Sequence, residues 1–543
     1  MSAPWGPVPR AWQTVLRLAL TARPIMALAG LAWLLAGKRV RGWNALCLAA
    51  DAHRNAYRYW IARAEPAIFR DHARSSNLAS TQVEAVILGA AADPIAAAAT
   101  RDSLRVAFGA DIAPWVAASR LEGCRTLPGA DSPAEVTGAG LGHWILPIRA
   151  GDLVAPELGQ MVAGELLDDA PDLLYWDEDQ WVAGHRATPW IKPDWDRRLF
   201  GARDGLAGSC LVRGAGAANA VQNADWPQFL YAVARECQPP PSHLPLVLTH
   251  RETAPRALPV AAPAPAPQPV SVSVIVPTRD GAALLEACLA GLAKTQFPGR
   301  HEVIILDNDS VEPRTSALFQ QLEQTGVARV IACPGPFNFA ALANIGVAAA
   351  NGELVCLLNN DIEVRDPAWL ARMAAYAVED DVGAVGARLL FPDGSIQHAG
   401  VALGVGDAAG HVEKGAVPAN APDSPWYAVD RTVSAVTGAC LLVSREKYVA
   451  VGGMDATAFA VDFNDVDLCL RLAARGWQTV YCAGASLVHH ESKSRGTRRT
   501  GADLVRFERE LANLRERWHT DRIVDHYHSP LFRRQSERCL LAF

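Results

Sequence analysis

VSVSVIVPTRDGAALLEACLAGLAKTQFPGRHEVIILDND, residues 270–309, decides the fold of this chain. Its opening β-branched run ends at Pro277 and reads as a buried strand. Asp280-Gly281 then opens a helical stretch with apolar Leu284, Leu285, Cys288, Leu289 and Leu292. Residues 301–308, HEVIILDN, form a second strand. Outward from there, residues 312–326 read as helix, 328–333 as strand, 338–350 as helix and 353–359 as strand. Strands that alternate with helices imply parallel crossovers, hence an α/β sheet with helices on both faces. Ligands of such sheets bind at the carboxyl ends of the strands.

Three of these strands end in polar tips: Pro277-Thr278-Arg279-Asp280, Asp307-Asn308-Asp309-Ser310 and Asn359-Asn360-Asp361. Asp307 is suited to accept from the imide N–H of a base. Asp361 is suited to ligate a hard cation held against a diphosphate. Taken singly, such residues more often cap helices and turns; their recurrence at successive strand ends points to a site. Further on, Asn464 or Asp465 starts a helix with apolar Val466, Leu468, Leu470 and Leu472. The helix dipole stabilises a carboxylate in that first turn as the anion, as a general base requires. Asp467 supports the same turn. His489-His490 follows a short apolar strand and is a metal-ligand candidate.

Six segments occur in order: VSVIVPTRD (272–280), VIILDNDS (303–310), FNFAALANIGVAAANGELVCLLNNDIEV (337–364), VTGACLLVSREKYVAVGGMD (436–455), FNDVDLCLRLAARGW (463–477) and LVHHESKSRG (487–496). Together they resemble family 2 glycosyltransferases of the A-type fold, in particular the bacterial rhamnosyltransferase-like branch that builds surface polysaccharide. The resemblance implies roles. Pro277, Thr278, Asp307 and Asn308 would surround the nucleotide base, and Asn344 and its helix would flank the donor. Asn359-Asn360-Asp361 falls where the family places its Asp-x-Asp motif. Asn359 replaces the first Asp, which leaves Asp361 as the main metal ligand and Asn360 beside the donor. Asp465 matches the catalytic base and His489 the late metal-binding histidine. Gly438, Ala439 and Cys440 match the segment lining the donor–acceptor junction. The implied reaction is a single inverting displacement, dependent on Mg²⁺ or Mn²⁺, from a nucleotide-sugar to a glycan or lipid-linked saccharide. The alternative is a non-catalytic module that binds nucleotide-sugar or glycan; retention of both Asp465 and His489 favours the enzyme. A dinucleotide-dependent oxidoreductase is disfavoured, because no GxGxxG follows the first strand.

At 543 residues the chain has room for two or three domains. The Pro/Ala-rich stretch 254–269 reads as a semi-rigid linker. It separates a helical segment (1–80) and a degenerate transferase-like α/β domain (81–253) from the catalytic domain (270–500) and a helical extension (501–543). Residues 143–200 carry transferase-like segments, but the metal-motif position reads Leu146-Pro147-Ile148-Arg149, with only Asp152 nearby. The first strand there ends Gly89-Ala90-Ala91-Ala92-Asp93, without Pro-Thr. Asp177-Glu178-Asp179 reads as a solvated turn rather than a metal site.

Formal net charge is −6, from 51 basic and 57 acidic residues, so nothing draws the whole chain to nucleic acid. Eleven cysteines without CxxC or zinc spacing read as buried thiols of a reducing compartment. No signal-peptide layout precedes the apolar run 24–37, which falls short of the ~18–20 residues of a spanning helix. The run reads as a packed helix or as an interfacial one. The expected location is cytoplasmic, with peripheral contact at the inner membrane face if the helix is interfacial.

Overall fold

The computed structural model describes residues 11–73, 83–117, 121–138, 144–166, 171–213, 225–254, 269–490 and 501–542. The Pro/Ala-rich linker, apart from residues 254 and 269, lies outside them, as do residues 491–500. The chain forms two compact units: residues 1–261 with 528–533 and 540–543, and residues 262–527 with 534–539.

The first unit opens with α1 (Ala11–Ala22), α2 (Pro24–Leu35) and α3 (Arg39–Asp51). A small core of Val15, Leu18, Ala27, Leu46 and Ala49 holds them together. α2 meets α3 where glycine faces glycine: a Cβ on Gly42 would lie 2.8 Å from the Gly30 carbonyl oxygen. Helices Ala56–Arg63 and Glu65–His72 follow. The unit's sheet has nine strands: β1 (Val83–Leu88), β2 (Trp115–Val116), β3 (Arg125–Thr126), β4 (Trp144–Arg149), β5 (Leu153–Val154), β6 (Leu173–Val182), β7 (His185–Trp190), β8 (Cys210–Arg213) and β9 (Ser242–Arg251). Their order is β3-β2-β1-β4-β8-β6-β9-β5, with β7 on β6.

The second unit holds β10 (Val272–Thr278), β11 (His301–Asp307), β12 (Arg329–Ala332), β13 (Leu354–Leu358), β14 (Ile362–Val364), β15 (Val382–Leu390), β16 (Ile396–His398), β17 (Val401–Leu403), β18 (Ala409–His411), β19 (Arg431–Val433), β20 (Cys440–Ser444) and β21 (Gln478–His489). The main sheet runs β12-β11-β10-β13-β20-β15-β21-β14, with β16 on β15 and β19 on β21. β10 pairs in parallel with β11 and β13, as the strand–helix alternation requires, whereas β20 is antiparallel to β13 and β15. Val274, Val276, Leu285, Ile305, Cys356, Leu358, Leu442 and Val480 form part of one buried cluster across this sheet. Each such aliphatic side chain contributes about 1.5–3 kcal/mol of burial. Local signals set the helix ends: Asn338 caps helix Phe339–Ala349 by accepting from Ala341 N at 2.9 Å, and Gly326, at φ +68°, ends helix Pro313–Thr325 in the left-handed conformation.

The two sheets repeat one topology. Strand for strand, β1 to β9 take the places of β10 to β16, β20 and β21. The registers agree as well. β1 and β4 start Val83↔Trp144, and β10 and β13 start Val272↔Leu354. Leu153 pairs with His250 as Ile362 pairs with His489. Asp152 and Asp361 each precede the short strand of that pairing, so they share a place in the fold.

Two expectations change here. Asp177-Glu178-Asp179 is no solvated turn; it lies in β6, and all three side chains are buried. Three cationic side chains and two histidines make this tolerable. Lys192 Nζ lies 2.9 Å from Glu178 Oε2 and Arg251 Nη2 2.7 Å from the same oxygen. Arg186 Nε lies 2.6 Å from Asp179, His243 3.0 Å from Asp177, and His250 2.7 Å from Asp179. Buried charges persist only with such partners. The second change is that the unit carrying β10–β21 runs past residue 500. Helix Gly501–Trp518 buries Glu510 and Leu514, and Glu510 accepts from the N–H groups of Val461 and Asp462.

Candidate active site

Asp465 lies in the first turn of helix Asn464–Ala473. Its Oδ2 accepts from Gly438 N at 2.8 Å and its Oδ1 from Val466 N at 2.8 Å. Burial raises its pKa, opposed by these N–H donors and by the Thr437 hydroxyl. The residue keeps part of its surface open to solvent. It is therefore a carboxylate with enhanced proton affinity and an accessible edge. Asp467, two residues on, is fully buried and serves packing: it accepts from Arg471, Arg517 and Trp518. Gly438 is needed for closeness, since a Cβ there would stand 3.1 Å from the Phe339 ring.

The segment that holds Asp465 also holds the metal-motif strand end. Asn359 N donates to Ala439 O at 2.9 Å, beside Gly438. Two residues on, Asp361 is buried, and its Oδ1 accepts no hydrogen bond among the described residues. The ring nitrogen His489 Nε2 stands 3.0 Å from that oxygen. An imidazolium would satisfy the pair, but the donor that faces Nε2 argues for the neutral ring. His489 Nδ1 lies 2.6 Å from Gln397 Oε1, an acceptor, so Nδ1 carries the proton. Asn359 Nδ2, a donor, lies 3.3 Å from Nε2. A bare nitrogen and an orphaned carboxylate oxygen thus converge in a buried place, which is the donor set of a small divalent cation. Among the described residues no cluster of three or more His, Cys, Asp or Glu is poised for a metal. Two protein ligands suit a cation whose remaining positions belong to phosphate oxygens and water.

The histidine pair divides. His490 turns to Glu363, 2.9 Å from Oε2, and takes no part in this pairing. Gln397 carries no sequence motif; its place on β16 beside His489 emerges only from the fold.

The expected donor-binding residues fare unequally. Thr278 and Asn360 are buried at the strand ends, and Thr278 Oγ1 has no hydrogen-bond partner among the described residues. Pro277 is half-buried at the same edge. Asp307 caps its own turn by accepting from Ser310 N at 2.9 Å. Asn308 donates to the carbonyls of Cys333 and Gly335, both at 2.9 Å, while its Oδ1 has no partner among the described residues. Asn344 commits its whole amide internally: Nδ2 donates to Met454 O, and Oδ1 accepts from Tyr448 OH and Met454 N. It clamps the Gly453–Met454 turn rather than presenting an amide to a ligand. A shallow depression lined by His301, Glu323 and Arg329 lies at the opposite, amino-terminal ends of β11 and β12, away from these residues.

In the first unit the corresponding place is filled differently. Asp152 is buried, accepts from Glu252 N at 2.9 Å, and is pushed up to a pKa of about 6 by burial against the pull of Arg251 and Arg149. Arg149, in the register position of Asn359, lies 2.9 Å from Asp204. Resident guanidinium groups supply the positive charge there.

A sheet of this order, with polar strand ends, a buried Asp–His pair and a carboxylate in a facing helix turn, is the A-type glycosyltransferase fold. Residues 273–403 match the family described as Glycosyl transferase family 2, and this part of the chain is a family 2 glycosyltransferase domain. The chain is 35% identical over 439 residues to the uncharacterized protein y4gI of Sinorhizobium fredii, covering 72% of this chain and 48% of that one. It is 32% identical over 406 residues to the O-antigen biosynthesis protein RfbC of Myxococcus xanthus, covering 65% and 31%. An 84-residue stretch is 37% identical to an N-acetylglucosaminyl-diphospho-decaprenol L-rhamnosyltransferase of Mycobacterium tuberculosis, covering 14% and 27%. The chain thus spans less than half the length of each of these relatives.

Proposed function

We propose that the second unit transfers a sugar, with inversion, from a nucleotide-sugar to a glycan or lipid-linked saccharide in bacterial surface polysaccharide synthesis. The observation that carries this reading is the segment 437–440, which ties Asp465 to the strand end bearing Asp361, whose carboxylate faces His489. Asp465 takes the proton from the acceptor hydroxyl, and that oxygen attacks the anomeric carbon as the nucleoside diphosphate leaves. The backbone donors at Gly438 and Val466 fix the carboxylate's orientation and keep it ionised against burial. Thr278, Asp307 and the chain around Asn308 border the place of the base, and Asn360 and Gly438 the place of the sugar. A divalent cation, Mg²⁺ or Mn²⁺, held by Asp361 and His489 would supply charge neutralisation to the leaving diphosphate. Gln397 and Asn359 hold His489 in the tautomer that such a cation needs. The first unit, with Arg149 and Arg251 in place of a cation, takes no part in the chemistry.

The test is a donor screen by nucleoside diphosphate release from UDP-, dTDP- and GDP-sugars with Mn²⁺ or Mg²⁺, with Asp361→Ala alongside. Metal-dependent release from one donor, lost in the variant, supports the reading. Binding by calorimetry without release from any donor, even with glycan acceptors present, would leave a nucleotide-sugar-binding module instead.

A further inference from the structure

We propose that the exposed face of α2 docks on a lipid bilayer that carries anionic headgroups. The solvent-facing residues of α2 are Pro24, Ile25, Leu28, Ala29, Ala32 and Leu35, and none is polar. From Ile25 onward they recur at helical spacing and form one stripe. Ile25, Leu28 and Leu35 are 85%, 59% and 91% exposed. The opposite side, with Ala27 and Gly30, is packed inside the unit. A helix apolar on every side belongs in a core or in lipid, and here half of it is covered by nothing among the described residues. An aliphatic stripe of this kind is more than scattered surface hydrophobics.

Charge selects the occupant. Residues 1–50 contain Arg10, Arg17, Arg23, Lys38, Arg39 and Arg41 and no Asp or Glu, in a chain whose net charge is −6. Arg17, Arg23, Lys38 and Arg41 are exposed. Lys38 Nζ and Arg41 Cζ sit 4.6 and 4.9 Å from the centre of the Trp33 ring, at the carboxyl end of α2. An apolar stripe with cations at both ends and an aromatic ring beside them is the layout of an in-plane interfacial helix on an anionic surface. A second copy of the chain fits poorly, because a two-fold pairing of this face sets its cations against their own counterparts. A protein surface fits poorly too, because the stripe offers no hydrogen-bonding group. The helix lies on the bilayer rather than through it: at twelve residues it is too short, and no described helix is long and apolar enough to cross.

The test is flotation of the full chain with vesicles of phosphatidylcholine alone and with phosphatidylglycerol added. The expected result is co-flotation with the anionic vesicles only, weakening as salt rises. The double variant Leu28→Glu/Leu35→Glu should lower the bound fraction at least about tenfold. Both side chains are exposed, so its melting temperature should match the wild type. Lys38→Gln/Arg41→Gln should lessen the preference for anionic lipid and serves if the first variant misfolds. Failure of the wild type to float with phosphatidylglycerol vesicles overturns the proposal, as does a well-folded glutamate variant that floats equally well. Self-association that disappears in that variant, without flotation, would give the face to a second copy and also overturn it.

Discussion

The backbone N–H of Gly438 donates to Asp465 Oδ2 at 2.8 Å, and the neighbouring carbonyl of Ala439 accepts from Asn359 N at 2.9 Å. One strand entry therefore fixes both the helix-borne carboxylate and the strand end that leads to Asp361. This coupling is why Asp465 is tested first. Asp465→Asn keeps an acceptor for Gly438 N–H but cannot take a proton. Transfer should fall by about 10²–10⁴-fold with donor affinity little changed. Burial raises the carboxyl's pKa in the folded chain, so its ionised form is destabilising above that pKa. The variant should accordingly melt no lower than wild type at pH 8. The acid limb of kcat should fall above the ordinary aspartate range. A variant with near wild-type transfer would remove Asp465 from the reaction.

Gln397 is the acceptor that sets the His489 tautomer, at 2.6 Å. Gln397→Leu removes it at similar volume, and Mn²⁺ affinity measured by calorimetry or electron paramagnetic resonance should drop about 10–100-fold. Gln397→Glu, which still accepts, should recover most of it. Equal Mn²⁺ affinity in the leucine variant would assign Gln397 to packing alone. Failure of the wild type to bind Mn²⁺ even with nucleotide would instead count against the Asp361–His489 site.

Metal stoichiometry separates the two sheets. Asp152 and Asp361 share a register position, but Arg149 and Arg251 surround the first with positive charge. One Mn²⁺ per chain is expected in the presence of nucleoside diphosphate. Asp361→Ala should abolish it and Asp152→Ala leave it unchanged. Two ions per chain would show that the first unit kept its site.

Asp152 also predicts a pH signature. Its pKa of about 6 lies above the ordinary aspartate value of 3.8. Protonation therefore stabilises the fold, fully below about pH 4, and that stability is lost as pH rises through 6. Asp152→Asn should stabilise the first unit at pH 8, by at most about 3 kcal/mol, and the gain should shrink on acidification toward pH 4. Thermal melts across that range read the difference; a gain independent of pH would point to packing.

Much of the second unit was legible in the chain's order of residues. The β-branched run to Pro277 gave β10, the period-3.6 leucines gave helix Ala282–Leu292, and the polar tips fell at strand ends because the pleat and the crossover handedness leave them little choice. Asp465 was legible too, as a carboxylate at a helix start. What the order of residues could not decide is which side chain reaches which. Asn344 stands in a matching motif, yet its amide closes on Met454 and Tyr448. His489 and His490 are adjacent in sequence, but alternation along the strand sends one to Asp361 and the other to Glu363. Asp177-Glu178-Asp179 looked solvent-bound, because the cations that pay for its burial lie 7 to 73 residues away. Local periodicity and turn chemistry act over a few residues and were fixed by the sequence alone. Pairing between distant strands sets hydrogen-bond partners, tautomers and buried ion pairs, and only the tertiary structure decided those.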